Sequence, residues 1–286
     1  ASSAYVITNF MRWLEKNKEQ PFFSWIHLMD AHDVNYRSFD VAMSKAGKDA
    51  ELRSLLDFYN NSVHARTALS YKGSLRYDLS INYVDHQITL LLEHLNSKNM
   101  LDDTIVVITS DHGSRDGGAG DKGKIPLDSF YDELYHCPLS IYEKGRSPNT
   151  SSDLCSALDI APTLLDYLDI EIPASFRGKS LLRPDRGNPV QASVIMVHLG
   201  RGPCDPVTKY ARICVMNNKC KIVYEQNLFD ATTGKLLNVF DVQNGQEKEI
   251  EIGSHTELMN DIQMLVEIAK SRANEIRHDL DYDSSS

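Results

Sequence analysis

Apolar residues recur at three- and four-residue intervals in some stretches of this chain and form runs or alternations in others, which predicts both helices and strands. Val6, Ile7, Phe10, Trp13 and Leu14 fall on one face of a helix over residues 3–18. Leu79, Tyr83, Ile88, Leu91, Leu92 and Leu95 repeat with the same spacing over residues 75–96, the most regular helical pattern present. Residues 158–168 predict a shorter helix with Pro162 near its start, where a missing N–H costs little. A closing helix over residues 254–277 turns Leu258, Ile262, Leu265 and Ile268 inward, and residues 51–59 show weak helical character. Residues 105–108 are instead a continuous, mostly β-branched run, the pattern of a strand buried on both faces. Residues 22–28, aromatic and β-branched, predict a second buried strand. Helix 75–96 followed by strand 105–108 predicts an α-then-β unit with a right-handed crossover. Further short strands are expected at 138–142, 190–197, 210–216, 221–226 and 235–241, with a tight turn at Asn217-Asn218.

Polar residues gather where the two buried strands end. Thr109-Ser-Asp-His-Gly113 follows one and Met29-Asp-Ala-His32 the other. In open α/β sheets ligands bind at the carboxyl ends of strands. Asp111 and His112 combine a carboxylate oxygen with an imidazole nitrogen, a partial ligand set for a divalent cation. The same pair also suits a strand end whose Asp and His cap the next loop. Asp30 is placed to orient His32 or contact water, and His27 reads as structural. Residues 113–124 hold five glycines, so backbone N–H groups there can approach a tetrahedral anion, with Lys122 or Lys124 adding charge. The spacing is not that of a P-loop. Arg37, Arg53, Arg66, Lys72 and Arg76 either meet an anionic substrate or are scattered solvated charges.

Composition narrows the picture. The chain has 286 residues, 42% hydrophobic and 24% charged, enough for one domain or one domain plus a smaller one. A net charge of −10 argues against a general nucleic-acid binder, which needs a basic face. No apolar run approaches the ~18 residues of a membrane span, and residues 1–20 lack a signal-peptide pattern. Cys137, Cys155, Cys204, Cys214 and Cys220 form neither a disulfide framework nor a zinc site by spacing; a pair among the last three is within bridging reach, and free thiols are the alternative. The compartment and the oligomeric state stay open.

Three separated runs carry a family likeness. Ser110-Asp-His-Gly113 after an apolar strand, then a glycine-rich loop, then Tyr131-Asp-Glu-Leu-Tyr-His-Cys-Pro-Leu139, resembles the metal-binding segment of the sulfatase branch of the alkaline phosphatase superfamily. Residues 156–170, with Pro173 and Gly178-Lys-Ser-Leu-Leu182, resemble the family's D-I-A-P-T-L-L … G-x-S-L-L run. Pro21-Phe-Phe-Ser-Trp-Ile-His-Leu-Met-Asp-Ala-His32 resembles its P-F-F-x-x-x-H-x-M-D-P-H segment. The likeness spans roughly residues 20 to 250 in the family's order.

That resemblance implies an α/β fold, a mixed sheet sandwiched by helices with a small antiparallel C-terminal subdomain. The expected division is 1–185 as the C-terminal part of the catalytic domain, 186–277 as the subdomain with its closing helix, and 278–286 as a disordered tail. It implies a hydrolase of sulfate monoesters on a sulfated small molecule or carbohydrate, with no nucleic-acid partner. A divalent metal is implied, calcium first, with magnesium or manganese as alternatives, held in part by Asp111 and His112. His32 matches the family histidine beside the ester oxygen of the leaving group, and Lys122 or Lys124 would bind sulfate. The family places its sulfate-contacting residue about four before the Tyr-Glu pair; here that position is Leu127, a departure that leaves the lysine assignment open. Asp85, two residues after Tyr83, reads as structural, and His136 stands where many members have arginine, as a support for the loop. Phe240-Asp-Val-Gln-Asn-Gly-Gln-Glu247 stands in for Y-D-L-x-x-D-P-x-E. The family's paired aspartates and its Cys- or Ser-x-Pro-x-Arg segment, source of the formylglycine nucleophile, do not occur in these residues, so this chain reads as part of a longer protein and as inactive alone. Two alternatives remain: a phosphonate or phosphodiester hydrolase, or phosphoethanolamine or phosphoglycerol transferase, of the same superfamily, and a non-catalytic truncated homologue.

Overall fold

A computed structural model of the chain describes residues 2–17, 19–32, 72–113, 130–183, 193–198, 210–228, 232–242, 247–253 and 255–283. The chain divides into two compact units, Ala1–Leu127 with His136–Pro148, and Asp128–Tyr135 with Asn149–Ser286. Among the described residues every paired strand is antiparallel.

In the first unit, helix α1 (Ser3–Asn17) packs on helix α2 (Lys72–Ser97). The predicted periodicity is realised: Ile7 and Leu14 are buried with Leu91 and Leu95, and Phe22, Ile26, Leu28, Met100 and Leu101 close around them. Each such side chain removed from water contributes about 1.5–3 kcal/mol. Phe10 stacks on Trp13 at 5.9 Å, and Phe22 meets both rings edge-on at 6.2 and 6.0 Å. Asn99 ends α2 in the left-handed region (φ 56°), a conformation its short polar side chain tolerates; Met100 N–H then returns to the Leu95 carbonyl at 2.9 Å. This closure sends the chain through a 3₁₀ turn (Leu101–Asp103) into strand β1 (Val106–Thr109).

Two strand expectations need correction. β1 is half-buried rather than enclosed, with Ile108 37% exposed. Its partner among the described residues is strand β2 (Leu139–Tyr142), antiparallel, with Val106 opposite Tyr142 and Thr109 opposite Leu139. Residues 21–29 have no regular secondary structure and make no ladder with another described strand. They pack through one face only: Phe22, Ile26 and Leu28 join the helices, while Phe23 and Trp25 are 80% and 78% exposed. Residues 51–59 and the glycine-rich loop beyond Gly113 lie outside the described residues.

The second unit contains a five-stranded meander, β3 (Ser193–His198), β4 (Tyr210–Met216), β5 (Cys220–Asn227), β6 (Gly234–Asp241) and β7 (Lys248–Ile250), in chain order. The first four follow the expected strands closely, and β7 is additional. Long helix α5 (Met259–Asp283) covers the sheet; Leu258, Ile262, Leu265, Ala269 and Ala273 pack on Ala211, Ile213, Val215, Ile222 and Val239. The expected turn joins β4 to β5: Asn217 Oδ1 accepts from the N–H groups of Lys219 and Cys220, at 2.8 and 2.9 Å. The same side chain donates to Asp261 at 2.9 Å, fixing the hairpin to α5. The tail expected to be disordered from His278 is helical as far as Asp283, because no glycine or proline interrupts α5 and Ile276 still packs on the core.

Helix α4 (Ile160–Tyr167; α3 is the short helix Asp132–Tyr135) explains why residues 156–170 and 178–183 travel together. Ser156 caps the preceding turn, and Asp159 accepts the Ser156 N–H at 3.0 Å and the Lys179 N–H at 2.8 Å. The Thr163 hydroxyl donates to the Asp159 carbonyl at 2.5 Å and accepts from the Leu181 N–H at 2.9 Å. Asp166 accepts from Ser180 at 2.5 Å and from the Arg183 fork at 2.7 and 3.1 Å; Arg183 first, then Ser180, holds its carboxyl below the usual range. Losing the cap in Ser156→Ala is expected to cost about 1 kcal/mol in urea unfolding. At Gly178 an added Cβ would overlap the Leu158 carbonyl, a backbone atom that cannot step aside. Gly178→Ala is therefore expected to cost about 2 kcal/mol, whereas an unchanged unfolding midpoint would show that this passage relaxes freely.

Candidate active site

β1 ends at Thr109, and the polar residues beyond it are held by one another. Asp111 Oδ1 accepts the His112 N–H at 3.0 Å, and both side chains are exposed. His112 Nδ1 lies 2.7 Å from the Gly113 carbonyl oxygen. A carbonyl can only accept, so Nδ1 carries a proton there, and Nε2 lies 3.7 Å from Asp111 Oδ2. A ring nitrogen with its partner N–H tied to a carbonyl is the usual arrangement of a metal-ligating histidine.

His32 arrives from a different stretch. Residues 21–29 finish in a turn in which His32 N–H returns to the Met29 carbonyl at 3.1 Å. Its ring stands 5.8 Å from that of His112, at 67°. Two stretches eighty residues apart thus bring His32 beside Asp111-His112. Lys122 and Lys124, with Arg37, Arg53 and Arg66, lie outside the described residues, and Lys72 and Arg76 are in the first turns of α2.

Asp30 has another partner than His32. It is 6% exposed and accepts from both the N–H and the hydroxyl of Ser3, each at 2.5 Å. A carboxylate there caps the first turn of α1 and meets the positive end of its dipole. Burial, with the charge of Asp30 second, pushes the nearby Tyr83 hydroxyl up. Replacing the carboxylate in Asp30→Ala is expected to cost about 1–2 kcal/mol and to raise amide exchange at Ser3. His27, Asp85 and His136 are exposed.

Among the described residues no three His, Cys, Asp or Glu side chains gather as a metal site. Asp111 and His112 fit part of a shell by donor type, two donors where calcium or magnesium takes six or more. Among the described residues Cys137, Cys214 and Cys220 form no disulfide.

One buried charge escaped sequence reading. Lys221 on β5 is 2% exposed; its ammonium donates to the Phe130 carbonyl at 2.7 Å and to Asp132 at 2.9 Å, and pairs with Glu247. Asp132 opens a four-residue helix, α3 (Asp132–Tyr135), and its N–H donates to Glu247 at 3.0 Å. The Lys221 cation also stands 4.9 Å over the Phe240 ring. Burial disfavours its charge, but hydrogen bonding to Glu247 and the neighbouring negative charge hold Lys221 above the ordinary lysine value. Partners some ninety residues away leave no mark on local spacing.

The chain is a member of the sulfatase family: the family model described as Sulfatase matches residues 1–170. It is 36% identical over 151 residues to an N-acetylglucosamine-6-O-sulfatase of Bacteroides thetaiotaomicron, an alignment covering 51% of this chain and 26% of that protein. It is 31% identical over 140 residues to an arylsulfatase of Clostridium perfringens, covering 47% and 27%, and 29% identical over 161 residues to a choline-sulfatase of Rhizobium meliloti, covering 54% and 30%. The chain thus spans under a third of the length of these relatives. Among solved structures it superposes on a Bacteroides thetaiotaomicron protein from the metabolism of multiple glycosaminoglycans, with TM-score 0.60 and 22% identity over 92% of this chain and 56% of that one. It superposes likewise on Ps i-CgsB, a protein solved with a neocarrahexaose, with TM-score 0.61 and 18% identity over 93% and 54%. These likenesses establish the fold as the α/β fold of sulfatases.

Proposed function

We propose that this chain is part of a sulfatase that hydrolyses sulfate monoesters, and that residues 1–286 supply half of its active site. The observation that carries the reading is the His32 ring 5.8 Å from His112, itself bonded to Asp111, in a chain of this family. Asp111 and His112 would hold a divalent cation, calcium first and magnesium or manganese next. When bound, that ion neutralises the transferring group and favours the ionised nucleophile. His32 donates a proton to the departing ester oxygen as negative charge builds there. Lys122 or Lys124 pairs with the sulfate oxygens. The nucleophile, a formylglycine, comes from a segment outside these residues. A sulfated carbohydrate or small molecule is the substrate class; the relatives' names, N-acetylglucosamine-6-O-sulfatase and choline-sulfatase, support it.

The test is a substrate panel on the full-length protein with calcium, magnesium and manganese supplied in turn. Turnover of an aryl sulfate or a sulfated amino sugar is the expected result. Turnover of phosphodiesters or phosphonates instead would move the chemistry to the superfamily's phosphoryl branch, and inertness toward all of them would leave a binding protein. Residues 1–286 alone are expected to give no turnover, because the nucleophile is missing.

A further inference from the structure

We propose that Asp30 is a positioning residue for His32: its buried carboxylate pins the turn that carries His32 to the start of α1. The functional part of this inference rests on the reading above. Every group involved belongs to the first unit. His32 stands two residues beyond Asp30, at the end of a turn closed by its own N–H on the Met29 carbonyl. The residue is exposed, and its ring sits 5.8 Å from that of His112. The turn is held on two sides. Leu28, just before it, packs in the core that α1 shares with α2. Asp30, inside it, accepts through Oδ2 from both the N–H and the hydroxyl of Ser3, each at 2.5 Å. Tyr83 of α2, 5% exposed, lies within reach of the Asp30 charge and bonds to the Ala4 backbone and the Ser2 side chain. One carboxylate thus joins the His32 turn to the place where both helices meet.

Capping α1 does not require this carboxylate. Ser2 caps the helix from within the chain, its hydroxyl accepting the Tyr5 N–H at 3.4 Å. A carboxylate brought from 27 residues away and left 6% exposed carries a desolvation cost that a serine cap avoids. What Asp30 adds is position, because a charged acceptor with two donors on one residue makes strong and directional bonds. The turn is thereby fixed against a rigid helix. A proton donor mounted on that turn keeps its place relative to the ester oxygen, and a displacement of about 1 Å can lower a rate about a hundredfold.

The experiment uses the full-length protein with Asp30→Ala and with Asp30→Asn, which keeps an acceptor oxygen without the charge should the first variant fail to fold. Amide exchange at Ser3 and His32 is expected to rise at least about tenfold, while exchange at Leu91 and Leu95 stays as in the parent. With a sulfated amino sugar, whose alcohol leaves poorly, kcat/KM is expected to fall at least about tenfold, mainly in kcat, and less in Asp30→Asn than in Asp30→Ala. With nitrophenyl sulfate, whose leaving group needs little proton donation, the fall is expected to stay under about threefold. In a His32→Ala background the same Asp30 variants are expected to cost at most about twofold, since the group they position is gone. Equal losses on the two substrates, an undiminished loss in the His32→Ala background, or unaltered exchange at His32 overturns the proposal. Should the parent hydrolyse no sulfate ester, the functional reading fails by itself, and exchange at His32 alone decides whether Asp30 holds the turn.

Discussion

Asp111→Ala and His112→Ala in the full-length protein each lower kcat/KM for sulfate-ester hydrolysis by at least about a hundredfold, a loss of about 2.7 kcal/mol of transition-state stabilisation. The expectation is strong because the fold asks so little of these side chains. Both are more than half exposed, and the Asp111 carboxylate contacts only the adjacent residue in the described bonds. Exposed substitutions of that kind usually change stability by about 0.5 kcal/mol or less. An activity loss at constant unfolding midpoint therefore reports on charge and metal binding. Raising the metal concentration should recover part of the rate if affinity is what fell. His32→Ala should behave differently, with a deficit that grows as the leaving alcohol becomes a poorer leaving group, because proton donation matters most there. Near-normal rates in Asp111→Ala at limiting metal would remove it from the shell.

The second large effect is alkaline. Burial pushes the Cys214 thiol up to about 12 and the Cys220 thiol up to about 11. Around Cys214 stand Lys221, which lowers it, and Glu247 and Asp132, which raise it. Around Cys220, Asp261 and Asp241 raise and Lys219 lowers. In the unfolded chain both thiols ionise near 9, so between pH 9 and 11 the folded state holds protons that the unfolded state has lost. Stability is then level below pH 9 and falls above it, by about 1.4 kcal/mol per pH unit for each thiol, or about 2.7 kcal/mol for both. Above the ordinary lysine value Lys221 adds to the fall, since its raised proton affinity stabilises the fold only while the proton stays. Urea unfolding followed by far-UV circular dichroism under reductant, from pH 8 to 11, should show this decline, and Cys214→Ala should halve its slope. A midpoint unchanged at pH 10.5 would mean that the thiols are not sealed from solvent as their surroundings imply.

How much of this was legible in the sequence depends on the range of the interaction. Helical spacing found α1, α2 and α5, because a face that repeats every few residues is a local signal. Alternation and β-branching located β4, β5 and β6 to within a residue or so. β7, three residues long, is too short to alternate. Residues 21–29 misled for a physical reason: apolar residues on both faces predict a strand buried on both, yet in the described residues only one face is covered. Of the site, Asp111, His112 and His32 came from strand-end chemistry and family likeness, and the structure brings the three together. Asp30 read as able to orient His32 or contact water, because its cap on Ser3 spans 27 residues and leaves no local signal. Lys221 looked like one more charge in a strand, and its partners were beyond any local pattern.

The exposed aromatic face near the start of the chain has a spectroscopic corollary. Both tryptophans, Trp13 and Trp25, belong to the first unit, where they are 43% and 78% open to water. Indole emission from the native protein should therefore lie already toward the red, and it carries no signal from the meander and its covering helix. Denaturation watched by that emission alone follows one unit and is blind to the other. Set beside an ellipticity trace, the same curve tells whether the two halves melt as one cooperative body or in succession.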